Sequence, residues 1–565
     1  MNFTDTTPDD LENLLTRDGQ SPLERLGHWA EQTPDRVAVY YGEDDTELTF
    51  AQLAELTDSI AGNLAARGVA KGDRVSVLTT DSLLATLAMF GIWKIGGVYS
   101  PINFSFTGRL LAYQLADTGP SLIITDDPLV SRIDEIAADL TEVPPVLVRG
   151  PAPESRVRTG SWTELTAPAP APRVDVDFDD PANLVYTSGT TGPAKGVVQP
   201  VRWMAQYTFG LRCTLTTDDV VYNDLPMYHV GGAIANVVRA VWRGCEVALW
   251  DRFSPTEFWS RVDRRGVSAA ILLDVMIPWL MNADETDRDA HHTLNKVYMQ
   301  PLPIHHAAVA RRFGFEFVNA GFGQTESGAP LALLLDETTA GATTPPQLRR
   351  GLGREEMLAV AADHAMTVLA GDEVTRKGAM GAPTPFLTVA VLDEHDRPCA
   401  DEEPGQLALR PRLPSLIMSE YLGKPEKTVE AWRNLWMHTG DSVVRGADGV
   451  YYFVDRLGDR IRVRGENLSS FQVEDMLTQH PDIALCAAFA VRSTEGDEDD
   501  VVACVVATEG ATLTEEQVHA FAAEIMPKYM RPRHVRILDD LPRTPTNKVE
   551  KYKLRRQVTA EIAAS

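Results

Sequence analysis

Residues 184–198 read LVYTSGTTGPAKGVV, and they constrain the chain more than any other stretch. A short apolar run, Leu184-Val185-Tyr186, has the character of a buried strand. It breaks into Thr187-Ser188-Gly189-Thr190-Thr191-Gly192-Pro193-Ala194-Lys195-Gly196. The glycines let backbone approach a ligand closely and adopt turns that other residues resist. The hydroxyls of Thr187, Ser188, Thr190 and Thr191, with exposed backbone N–H groups, make a concave set of donors for phosphate oxygens, and Lys195 adds a point charge. A polar glycine-rich hairpin is the plainer alternative. The pattern is not a Walker A loop, because Lys195 lies between Ala194 and Gly196 instead of within Gly-Lys-Ser/Thr.

At 565 residues the chain exceeds one ordinary core, so two or more domains are expected. From Leu48 to Leu78 the pattern alternates helix, turn and strand, the rhythm of a layered α/β protein. Leu83–Val98 reads as an apolar helix, while Leu122–Thr125 and Val146–Val148 read as short buried strands. Ala167–Pro172 reads as a stiff surface spacer. No apolar stretch approaches a membrane span, and the acidic N-terminus MNFTDTTPDDLENLL lacks the features of a secretory leader. The five cysteines are scattered and never form CxxC, which suits reduced thiols and a cytoplasmic protein. His291-His292 and His305-His306 lack metal-ligand spacing.

The net charge of −27 argues against a general nucleic-acid or membrane-surface binder. Basic residues nevertheless gather late in the chain: Pro527–Arg556 holds ten Lys or Arg against three acids. A locally basic module suits an anionic small ligand, and a solvated helix face would look the same.

Further polar segments recur beyond the loop. Asp224-Leu225-Pro226-Met227-Tyr228-His229-Val230-Gly231-Gly232 puts a histidine before two glycines, where backbone could approach a ligand. Asn319-Ala320-Gly321-Phe322-Gly323-Gln324-Thr325-Glu326-Ser327 follows a strand-like run. Its ring, hydroxyl and carboxylate could serve a purine face, a phosphate oxygen and Mg²⁺. Met437-His438-Thr439-Gly440-Asp441 places a carboxylate after a glycine turn, suited to vicinal hydroxyls. Leu541–Lys551 (LPRTPTNKVEK) is a proline-stiffened loop with Lys548 at its tip.

TSGTTGPAKGV resembles the phosphate-loop signature of the adenylate-forming enzymes: acyl-CoA synthetases, peptide-synthetase adenylation domains and luciferases. The signatures are most similar to the crotonobetaine/carnitine-CoA ligase-like branch, and the resemblance runs from about residue 20 to the end. It implies an α/β fold: a large N-terminal domain of layered sheets and helices (1–457), then a small mobile α+β domain (458–565). It implies an AMP-forming ligase using ATP, Mg²⁺ and CoA. Thr187–Gly192 and Lys195 would hold the phosphates. Phe322, Gly323 and Gln324 would serve the adenine side, Asp441 the ribose, and Arg456 the nucleotide. Thr325 would contact the α-phosphate and Glu326 the metal. His229 and Gly321 would line the acid pocket, and Lys548 would be the catalytic lysine. Arg464-Gly465 would meet the acceptor after rotation about Gly458.

This chain departs from the family pattern in places. Phe322 replaces a tyrosine, Gly458 a hinge Asp or Lys, and Asn547 a glycine. Tyr298–Pro303 lacks the usual glycines beside adenine. Residues 336–377 form a longer connection than usual, expected to cover the acid pocket or make a subunit contact, as in a homo-oligomer. The resemblance leaves other substrates and acceptors open: loading of a carrier protein, amide formation, or activation of another oxyanion such as nitrite for diazotisation of an aromatic amine. A non-catalytic nucleotide-binding regulator is the reading from a different class.

Overall fold

The computed structural model describes residues 6–151, 154–187, 194–273, 276–376, 378–456, 460–463, 466–493, 498–508, 510–542, 549 and 551–564. Two compact units divide the chain. The larger comprises residues 1–104, 115–185 and 196–455, and the smaller comprises 105–114, 186–195 and 456–565. No helix among the described residues is long and apolar enough to cross a membrane. All five cysteines are free thiols.

One sheet of the larger unit carries parallel strands whose sequences are nearly all apolar, as burial on both faces requires. Val37–Tyr41, Glu246–Leu249, Val220–Asn223, Ala269–Leu273, Lys296–Gln300 and Phe317–Gln324 lie side by side in that order. Ala269 pairs with Lys296, and Tyr298 pairs with Asn319. Gly328–Asp336 then returns antiparallel to Phe317–Gln324, and the sheet continues through Ala379–Pro383 to Met437–Arg445.

A second sheet holds Arg74–Leu78, Val98–Pro101, Leu122–Asp126, Val146–Arg149, Pro181–Thr187 and Lys195–Pro200 among its strands. Phe50–Ala66 is a helix because Thr49 and Gln52 form a capping box and Phe50, Leu53, Thr57, Ile60 and Leu64 fall on one buried face. Ser82–Lys94 is apolar all round and buried from Ser82 to Trp93, as an interior helix must be. It ends at Lys94, short of the expected Val98.

The proline-rich run lies along the Phe50–Ala66 helix, where Asn63 Nδ2 donates to Leu165 O at 3.0 Å and Ala167 O at 2.7 Å. The connection after Asp336 contributes to the sheet. Val368–Ala370 pairs in parallel with Gly328–Asp336, and Met357 and Ala361 of the helix Arg354–Asp363 pack on Phe317 and Leu334.

In the smaller unit Ile483–Arg492, Asp499–Ala507 and His534–Leu538 form a sheet between helices. Successive residues of the middle strand serve opposite faces. Val501, Ala503 and Val505 pack with Val473 and Val518, while Val502 and Cys504 pack with Leu554 and Val558. Lys551 bonds Ser470 Oγ and Glu474 Oε1, each at 2.7 Å.

Candidate active site

The hairpin Phe317–Gln324/Gly328–Asp336 carries the densest set of candidate residues, with Thr325–Ser327 as its turn. The turn is clamped through its backbone. Gln199 Nε2 donates to Thr325 O at 2.8 Å, and Met418 N donates to Glu326 O at 2.8 Å. The Gln206 amide pairs with both backbone groups of Ala329, at 2.8 and 3.1 Å. With its carbonyls held, the turn presents the Thr325 and Glu326 side chains, both half-buried. The Tyr421 hydroxyl donates to Glu326 Oε1 at 3.1 Å.

Asp441 belongs to the strand Met437–Arg445. The expected glycine turn before it is a kink within that strand. Gly440 has φ +77°, a left-handed conformation that interrupts the ladder without ending it. Asp441 is only 2% exposed, and its carboxylate accepts from Gln324 Nε2, which also donates to Thr439 O at 3.0 Å. Thr439 Oγ1 in turn donates to Leu407 O at 2.8 Å. Gln324 and Asp441 are therefore one assembly.

His229 stands at the entry to a π-helical segment, Gly231–Val238, with its ring 4.6 Å from that of Tyr228. Such wide turns occur mostly at functional sites. The two following glycines differ in kind. A Cβ at Gly231 would meet nothing closer than 3.6 Å, whereas one at Gly232 would lie 2.6 Å from both Leu225 O and Pro226 O. At Gly232 backbone packing by itself leaves no room for a side chain.

Of the other candidates, Thr187 ends the buried strand Pro181–Thr187, and Lys195 opens Lys195–Pro200. Phe322 is 6% exposed, Gly321 is buried and Gly323 is exposed. Arg456 ends the strand Tyr451–Arg456. Ser188, Gly189, Thr190, Thr191, Gly192, Gly458, Arg464, Gly465 and Lys548 lie outside the described residues, as does the Arg456 side chain.

Among the described residues no group of three or more His, Cys, Asp or Glu is arranged to hold a metal. His292 stacks on Trp259 at 4.6 Å, and burial pushes it down to about 4, so it is a neutral core histidine. Tyr421 and Gln199 escaped the sequence reading. Tyr421 is 95 residues from Glu326, with no local pattern to announce it. Gln199 left a faint signal, a polar residue in the otherwise apolar run Val197–Val201.

A family profile described as "AMP-binding enzyme" matches residues 26–422, and its C-terminal domain profile matches residues 472–548. The crotonobetaine/carnitine–CoA ligase of Citrobacter koseri is 27% identical over 550 residues, covering 95% of this chain and 99% of that protein. The sulfoacetate–CoA ligase of Cupriavidus necator is 27% identical over 530 residues, covering 93% and 95%. The o-succinylbenzoate CoA synthetase of Bacillus subtilis has the same fold, with a TM-score of 0.75 at 22% identity over 95% of this chain and 98% of that one. The match spans both the loop and the hairpin motifs, and the chain belongs to the AMP-binding enzyme family, as an enzyme of the AMP-forming acyl-CoA synthetase type.

Proposed function

We propose that this enzyme activates a small carboxylic acid with ATP and passes the acyl group to the thiol of CoA. The observation that carries the reading is the convergence of Gln324, Thr325 and Glu326 with Asp441 and Tyr421 in one clamped assembly. That set offers a hydroxyl and two carboxylates to a nucleotide, in a chain of the AMP-binding family.

A carboxylate is a poor acyl donor because its leaving group would be an oxide. In the first step its oxygen attacks the α-phosphorus of ATP, the bond to the β-phosphate oxygen breaks, and acyl-AMP and pyrophosphate form. Two anions must meet, so fixed positive charge is the main requirement. Lys548 bridges the acid and the phosphate, Lys195 and the Thr187–Gly192 loop hold the phosphates, and Thr325 bonds the α-phosphate. Asp441, held by Gln324, accepts from the ribose hydroxyls, and Phe322 and Gly323 border the base. Arg456 contacts the nucleotide, and His229 and Gly321 border the acid.

A Mg²⁺ would fit here through the Glu326 carboxylate together with phosphate oxygens, the usual way a protein with few ligands of its own holds this ion. When bound it supplies charge neutralisation on the phosphates.

In the second step the thiol sulfur attacks the acyl carbon, the acyl–phosphate oxygen bond breaks, and AMP leaves. A turn of residues 458–565 about Gly458 exchanges Lys548 for Arg464-Gly465 at the acceptor side. Pyrophosphate release from ATP with a carboxylate panel tests the first step, and CoA dependence of thioester formation tests the second. Lys548→Ala should abolish acid-dependent pyrophosphate exchange while ATP still binds. Normal exchange in that variant would remove the role given to Lys548. Turnover without CoA, on a carrier protein or an amine, would replace the acceptor.

A further inference from the structure

Among the described residues, Arg239 is a buried cation without a paired carboxylate. It follows the π-helical segment, is 3% exposed, and donates from Nη2 to Asn236 Oδ1 at 3.0 Å. Asn236 is committed elsewhere as well, since its Nδ2 donates to Asn223 Oδ1 at 2.9 Å. Arg239 Nε is fully enclosed and has no hydrogen-bond partner, and among the described residues no carboxylate pairs with the guanidinium. Asp219 acts on it from a distance, but Lys296 Nζ at 2.7 Å and Ser268 Oγ at 2.6 Å already occupy that carboxylate. Burial lowers Arg239 to about 10, which still leaves it charged at neutral pH. Enclosing an uncompensated charge is among the most costly arrangements a fold can retain.

The surroundings say where a compensating anion would come from. Arg239 acts electrostatically on the Tyr207 phenol, and Tyr207 acts on that of Tyr298. Both rings are half-buried and flank one apolar cluster with Leu225, Ala235, Ile271 and Met276. A Cβ on Gly321 would lie 3.3 Å from the Tyr298 hydroxyl, and one on Gly323 would lie 3.5 Å from Tyr207 Cε2. The two tyrosines thus lie beside Gly321 and Gly323 of the candidate acid site, and the Arg239 charge acts on Tyr207. Aromatic rings with a guanidinium within electrostatic reach suit an aryl or alkenyl body with a terminal anion.

We propose that Arg239 determines substrate specificity by pairing with a second carboxylate, at the end of the substrate remote from the adenylation centre. The inference rests on the adenylation reading and names its substrate class: acids carrying a distal carboxylate.

The test compares pyrophosphate release for matched pairs, terephthalate against benzoate and 4-carboxycinnamate against cinnamate, in the wild type, Arg239→Met and Arg239→Lys. The wild type should favour the diacids. Arg239→Met should lower the diacid-to-monoacid ratio of kcat/KM by ~100-fold, mainly through KM for the diacid. Arg239→Lys should fall between, because lysine keeps the charge and loses the bidentate fork. Without substrate, Arg239→Met should melt at or above the wild-type temperature, because the uncompensated charge is gone. An unchanged ratio, or a lowered melting temperature with equal losses on both acid classes, overturns the inference. Release with the monoacids alone overturns it too and leaves the adenylation reading standing. No release with any acid overturns both.

Discussion

The Tyr421 hydroxyl donates to Glu326 Oε1 at 3.1 Å, joining the turn of the Phe317–Asp336 hairpin to the edge of the second sheet. Tyr421 is 5% exposed and pairs in register with Val197, two residues from Lys195. The proposed metal-side carboxylate is therefore held by a residue of the short strand Glu420–Tyr421, which pairs with Lys195–Pro200. Tyr421→Phe removes the hydroxyl and little packing. The Mg²⁺ concentration for half-maximal pyrophosphate release should rise ~3–10-fold, corresponding to about one hydrogen bond. An unchanged Mg²⁺ dependence would show that Tyr421 does not position Glu326.

Gln324 and Asp441 should act as a pair on the nucleotide. Asp441→Ala removes the acceptor proposed for the ribose, and KM for ATP should rise by ~10–100-fold with a smaller change in kcat. Gln324→Ala should give part of that loss by releasing the Asp441 carboxylate, and the double variant should lose less than the sum. A double-mutant cycle on KM for ATP measures the coupling.

His306 ties down residues 336–377. Its Nδ1 lies 2.5 Å from Glu337 Oε1 and its Nε2 lies 3.1 Å from Val374 O, near the two ends of that segment. Both neighbours are acceptors, so the ring that satisfies them donates from both nitrogens and is cationic. Burial opposes that charge, but the Glu337 hydrogen bond and carboxylate outweigh it and raise the His306 pKa. A raised value means that the folded chain holds the proton more tightly than the unfolded chain. The contribution is complete below pH ~6.5 and disappears as pH climbs through the higher folded value. Thermal melts from pH 6 to 9 should show falling stability, and His306→Gln should flatten that slope while costing about 2 kcal/mol at pH 6.

Gly232→Ala tests the π-helical entry. The added methyl would meet Leu225 O and Pro226 O, which are backbone and cannot rotate away. The expected cost is about 1–3 kcal/mol, with His229 displaced from its place beside Tyr228. Gly231→Ala, with its nearest contact at 3.6 Å, should cost much less. Denaturant unfolding of both variants separates the two glycines.

The sequence by itself determined the features written in local patterns. Apolar runs such as Leu122–Thr125 and Val146–Val148 became strands, the Thr49/Gln52 box opened a helix, and the motif around Thr325 fell at a hairpin turn. These rest on spacing and side-chain type within a few residues, which a linear reading can weigh. Tertiary structure alone decided which distant groups meet. Tyr421 reaches Glu326 across 95 residues of chain, and His306 gathers Glu337 and Val374. Gly232 proved to be a packing requirement. Arg239 looked like any helical arginine until its neighbours were known. Burial, pairing and the absence of pairing are properties of space around a residue, and chain order does not encode them locally.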